Sequence, residues 1–187
     1  MGSSDLIGGA FLVLISVVLW VATRQIIISA DKYPPAIQGG GNPVGVRGWL
    51  LVLCVVLMAL PLFAFGRTQQ FWDAERHFPA LLSSARWIIF KDLSLTVVWT
   101  AAALNFSAGV GLVKRRDPVA VRRAITILWV AGPLADVLRE FVVPLLAAVH
   151  TLKPDSSFIW STIAAGAWTA YLYRSKRVRV TYGTVTR

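Results

Sequence analysis

A single cysteine, two histidines and nine acidic residues are all that 187 residues offer of three chemically versatile classes. Cys54 stands alone, so thiol–disulfide chemistry that needs a cysteine pair is excluded. His77 and His150 do not stand at H-E-x-x-H spacing; one falls in a loop and one at the end of an apolar run. No metal, haem or other cofactor is expected from them. Charged residues make up 15% of the chain and hydrophobic residues 56%, with a mean hydropathy of +0.64. A soluble domain carries about 25% charged residues, so a soluble globular enzyme is excluded. G-x-S-x-G and a phosphate loop are also missing: Gly39–Gly41 runs into Asn42 and Pro43, not a Lys-Ser/Thr pair. Asp92 and Asp136 differ in depth by at least ~10 Å, too far for an intramembrane aspartate dyad. No catalytic residue is assigned, and the expectation is a non-enzymatic protein.

What the chain does have is long apolar runs. Leu6–Thr23, Gly48–Gly66, Leu93–Val113, Ala124–His150 and Ser156–Tyr173 each approach or exceed the roughly 20 residues that cross a ~30 Å bilayer core. The runs are continuous and do not alternate, so they predict helices and exclude barrel strands. The expected fold is all-α and polytopic, with a four-helix transmembrane core and one N-terminal transmembrane helix. The leader has no Lys or Arg, and Ile28 is a poor residue three places back from Ala30, so the first span reads as retained rather than cleaved.

The excess of basic residues, net +10, is distributed as topology. Arg24, Lys32 and Arg47 lie between spans one and two; Lys114, Arg115, Arg116, Arg122 and Arg123 lie between spans three and four. Arg174, Lys176, Arg177, Arg179 and Arg187 form the tail, whereas the opposite side holds Arg67, Arg76, Arg86 and Lys153. The positive-inside rule then places the amino terminus outside and the carboxyl terminus in the cytoplasm. Trp49 at one face and Trp87 and Trp160 at the other suit the interfacial belts. The charges are thereby accounted for without nucleic acid.

The organisation follows. Residues 1–24 form an appended transmembrane helix, 25–47 a Gly/Pro-rich cytoplasmic linker, 48–183 the four-helix core and 184–187 the tail end. The external segment 67–88 reads as a short interfacial helix or an ordered loop. Ser107 and Gly111 in span three, and Ala164, Gly166, Ala167 and Ala170 in span five, are small. These helices are expected to pack inside the bundle, although the same residues suit docking of another subunit.

Two segments carry a resemblance. Arg47-Gly-Trp-Leu50 and Tyr171-Leu-Tyr-Arg-Ser-Lys-Arg-Val178, with Thr181 beyond, resemble the opening and closing patterns of the YdgK-like four-helix bacterial inner-membrane proteins, a domain of unknown function. The resemblance covers residues 45–183. An Arg replaces the first Gly of the family's G-G-W-L, and the first span is an addition to its layout. The resemblance implies a four-helix bundle with both core ends cytoplasmic and carries no catalytic residues.

One group of residues is placed where charge is costly. Asp136, Arg139 and Glu140 interrupt span four near its midpoint, where a charge costs at least ~2.5–3.5 kcal/mol. At i, i+3 and i+4 they share one helix face, and Pro133 and Pro144 flank them. They read either as a self-neutralising set that fixes bundle register or as a buried site for a proton, ion or ligand. One surplus negative charge would remain, which Lys91 of span three is a candidate to meet. Lys91 can equally snorkel to water. Asn105 reads as interhelical packing glue. The basic cluster Arg174, Ser175, Lys176, Arg177 and Arg179 reads as topology signal and as a docking site for lipid or a partner.

The leading expectation is an accessory or scaffolding subunit of a larger inner-membrane complex, with membrane lipids and other membrane subunits as partners. The alternative is a small proton- or ion-coupled transporter using Asp136, Arg139 and Glu140. A cavity reaching that cluster from one side favours transport; a packed cluster beside an exposed groove favours a subunit.

Overall fold

The computed structural model describes Arg24, Ile28, residues 45–148 and residues 157–183. The first span, most of the linker, His150 and the tail end lie outside these. Among the described residues the chain is helical throughout, with no strand. The elements are α1 (Trp49–His77), a 3-10 turn (Pro79–Ser83), α2 (Ala85–Lys114), α3, α4 (Ser157–Arg174) and α5 (Lys176–Tyr182). Here α3 is a compound rod. It opens as α-helix at Pro118–Trp129, becomes π-helical over Val130–Leu134, passes through Ala135–Val137, is π-helical again over Leu138–Val142 and closes with Val143–Leu146. The junction residues Val130, Ala135, Leu138 and Val143 all keep right-handed helical angles, so the rod is unbroken.

Local chemistry sets the helix limits. Asp117 caps α3, its Oδ1 accepting from the Ala120 amide at 2.6 Å, and Pro118 fills the first helical position. Ser84 caps α2 by accepting from the Trp87 amide at 3.4 Å. Between Gly66 and His77 nothing breaks the helix, so α1 simply continues. In place of the expected interfacial helix or ordered loop, residues 67–88 form the last turns of α1, a 3-10 turn begun by Pro79, and the first turn of α2. At 1.5 Å per residue, the 29 residues of α1 run for ~43 Å, more than a ~30 Å bilayer core.

The first two helices form an antiparallel hairpin. Gly109 of α2 lies against Cys54, Leu57 and Met58 of α1, Trp99 Nε1 donates to Thr68 Oγ1 at 3.2 Å, and Lys91 meets Glu75 farther along. Gly109 permits a close approach: a Cβ there would lie 2.7 Å from Met58 Cγ and 3.2 Å from the Cys54 carbonyl oxygen. The small residues singled out in the sequence do not play this part. Ser107 is exposed, nothing lies within 4 Å of a Cβ on Gly111 or Gly166, and Ala164, Ala167 and Ala170 face outward. Small size at helical spacing does not say which face is turned inward; the neighbours Ala108, Gly109 and Ala165 take the buried positions.

The core sits toward one end of the bundle. Leu50, Leu53, Cys54 and Leu57 of α1 pack with Leu112 and Val113 of α2, Val121, Ala124 and Ile127 of α3, Leu172 of α4 and Val178 and Tyr182 of α5. This end also gathers the basic residues that follow α2 and α4, so we call it the basic end. α1 and α2 are both long and apolar enough to cross a membrane. Only 33% of the most apolar stretch of each is buried inside the bundle, unlike the core helix of a soluble protein. Large apolar side chains instead cover the outside: Phe63 is 70% exposed, Leu145 78% and Trp160 67%.

Candidate functional site

Asp136 lies between the two π-helical segments of α3, and Arg139 and Glu140 lie within the second. Proline supports such winding, because Pro133 has no amide to contribute to the α ladder. Single π turns inside α-helices mark functional sites more often than plain helix does.

The three side chains meet, and a fourth joins them. Arg139 Nη2 is 3.5 Å from Asp136 Oδ1, 3.2 Å from Glu140 Oε1 and 2.7 Å from Ser157 Oγ. Ser157, at the start of α4, in turn donates to Glu140 Oε1. Glu140 is the enclosed member, with its side chain 7% exposed and bound from two sides. Asp136 is the open one, 22% exposed, with the longer contact to the guanidinium. Two carboxylates share one guanidinium, which leaves one negative charge within the set.

A cavity of about 670 Å³ reaches this cluster. Its walls come from α1 and α2, with Leu60, Phe63, Val97 and Ala101 among them, and Asp136, Arg139 and Ser157 form its polar side. Arg67 and Gln70 of α1 line it as well, Arg67 Nη1 donating to Gln70 Oε1 at 3.4 Å. Asn105 lines it too, but its Nδ2 donates to the Ala101 carbonyl within α2 at 3.0 Å, so this amide does not bridge helices. Glu140 is absent from the lining.

Lys91 is not brought to the cluster. Its Nζ lies 2.7 Å from Glu75 Oε1, and Trp87 Nε1 donates to the same oxygen at 3.1 Å. The Lys91 hydrogen bond holds the Glu75 carboxyl below its ordinary range. Phe71, Trp87 and Phe90 pack tilted or edge-on beside the pair at 5.8–6.1 Å between ring centroids. Glu75 was hidden in the sequence because it falls beyond the apolar run. Its spacing of sixteen residues from Lys91 becomes contact only once the hairpin forms.

The tail cluster divides. Arg174 and Lys176 are exposed, whereas Ser175, Arg177 and Arg179 are half-buried. Arg177 folds onto the opening motif: Gly48 has φ +62, and a Cβ there would lie 2.9 Å from Arg177 Nη1. Thr181 Oγ1 accepts from the Gly45 amide at 3.1 Å. Tyr182 is fully buried, donates to the Leu112 carbonyl at 2.6 Å, and lies 5.8 Å beneath the Arg116 guanidinium. Burial pushes its phenol pKa up, so it keeps the proton it donates. The two segments that carry the resemblance thus close on each other.

No group of three metal-ligating side chains occurs among the described residues. His77 is exposed, with Nδ1 2.7 Å from the Asp73 carbonyl oxygen.

The profile of a family described as a protein of unknown function (DUF2569) matches residues 43–183. No curated protein and no solved structure matches the chain.

Proposed function

The chain belongs to the DUF2569 family, and on that premise we propose that it is a YdgK-like, multi-pass protein of the bacterial inner membrane that passes a proton or small cation by way of Asp136. The reading takes five spans with the amino terminus outside and the carboxyl terminus inside, and no enzymatic step. One observation carries it: the cavity of about 670 Å³, walled by apolar side chains, that ends on Asp136 and Arg139. A set built only to fix register has no need of an open approach.

The geometry divides the labour. Arg139 and Ser157 bind Glu140, so its charge stays matched. Asp136 faces the cavity with the weaker hold on Arg139 and carries the surplus charge. A proton or cation arriving there neutralises the set, which relieves an uncompensated charge held inside the bundle. The test is flux of protons, and separately of sodium and potassium ions, into liposomes carrying the purified full chain. Wild type is expected to exceed empty liposomes, and Asp136→Asn to return flux to their level. Equal flux for wild type and Asp136→Asn, or none above empty liposomes, overturns the proposal.

A second reading has its own support. Ala164, Ala167 and Ala170 on the outward face of α4 would let another helix approach closely, as in an accessory subunit. Gentle extraction from the native host and mass spectrometry of co-migrating proteins tests it. A stoichiometric larger complex supports it, and a lone chain counts against it.

A further inference from the structure

A second groove lies at the basic end, between the close of α2 and the opening of α3, with a volume of about 450 Å³. Its mouth carries Lys114, Arg115 and Arg123, and no acidic side chain lines it. The nearest carboxylate in sequence, Asp117, is engaged as the cap of α3. The side chains of Lys114, Arg115 and Arg123 make no ion pair or hydrogen bond with the described residues. Their charge is therefore unmatched among the described residues. Behind them the groove turns apolar, along Phe106, Val110 and Gly111. From Lys114 back to Phe106 the α2 axis covers ~12 Å, directed into the apolar run.

We propose that this groove holds one anionic phospholipid, with its phosphate on Lys114, Arg115 and Arg123 and an acyl chain along Phe106 and Gly111. The charge order selects the occupant. Three cations without a carboxylate select an anion, and an apolar trough leading away from them selects an amphiphile over a free phosphate. The depth agrees, because Lys114 ends the apolar stretch where headgroups lie, and basic pockets between helices at that level bind anionic headgroups. The tail cluster is the weaker candidate, since none of its residues lines this groove and Arg177 lies against Gly48.

The inference rests on the membrane reading but not on Asp136. A chain that fails to partition into bilayers sinks both; one that partitions but retains no lipid sinks only this one. The experiment is native mass spectrometry of the detergent-purified full chain titrated with dioleoylphosphatidylglycerol or dioleoylphosphatidylcholine. One phosphatidylglycerol per chain is expected, in preference to phosphatidylcholine. Replacing Lys114, Arg115 and Arg123 together by Gln should weaken retention on the order of 100-fold. Gly111→Phe keeps every charge and fills open space, since nothing lies within 4 Å of a Cβ there. It should also lose the lipid while melting like wild type, and it answers the question if the triple variant fails to fold. Arg174→Gln with Lys176→Gln should retain it. Equal retention of both lipids, undiminished binding by the triple variant or Gly111→Phe, or displacement by millimolar inorganic phosphate overturns the proposal.

Discussion

The basic end of the bundle and the charged cluster of α3 are built on opposite plans. At the basic end Leu50, Leu53, Leu112, Val178 and Tyr182 have at most 1% exposure, and segments some 130 positions apart are tied by Gly45–Thr181 and Gly48–Arg177 contacts. At the cluster, α3 departs from α-helical winding, a cavity opens, and four polar side chains meet at its edge. The resemblance is carried by the packed end and the unusual chemistry by the loose one. A motif can therefore name a fold while the residues that act lie elsewhere, because closing a bundle demands particular shapes and binding demands an opening.

This contrast can be broken most forcefully at Tyr182. Tyr182→Ala removes a fully buried aromatic and should cost about 3–5 kcal/mol in unfolding measured in micelles. Asp136→Asn should stay within about 1 kcal/mol of wild type in the same measurement, because its contact with Arg139 is long and part-exposed. A larger loss at Asp136 than at Tyr182 would reverse the assignment of packed and open regions. Next in size, Ser157→Ala strips Glu140 of a donor and should cost about 1–3 kcal/mol by the same unfolding curve.

Two glycines sharpen the comparison with opposite signs. Gly109→Ala presses a Cβ onto Met58 and the Cys54 carbonyl and should destabilise by about 1–3 kcal/mol. Gly111→Ala meets nothing and should stabilise by up to about 1 kcal/mol through helix propensity. Thermal melting of the two variants side by side checks both signs. The smallest effect is at Glu75. Its carboxyl pKa is lowered in the fold by Lys91, so its contribution is in place above the ordinary carboxylate range. That contribution fades as pH falls through the lowered value. Melting temperature against pH should show this acid-side slope in wild type and a shallower one in Glu75→Gln.

Hydropathy made the helices legible, because runs such as Leu93–Val113 have no other stable form in lipid. The meeting of Asp136, Arg139 and Glu140 was legible for a local reason: i, i+3 and i+4 spacing keeps residues on one face. Ser157 was not, because its approach to Glu140 depends on how α4 returns against α3. The partner of Lys91 was missed for a related reason, since Glu75 was counted into an external segment, read as an interfacial helix or a loop, whereas it belongs to the end of α1. The inward face of α2 was not legible, because Ser107 and Gly111 are as small as Ala108 and Gly109, and only packing tells them apart.

One measurement bears directly on the division between a packed end and an open cluster. Native Cys54 is fully buried at the packed end, and Ala135 lines the cavity beside Asp136. In membrane vesicles, a charged, membrane-impermeant maleimide should label Ala135→Cys and leave Cys54 untouched in wild type. Labelling of Cys54 with Ala135→Cys inert, or no labelling of either, would contradict a water-reachable charged site held open by a closed end.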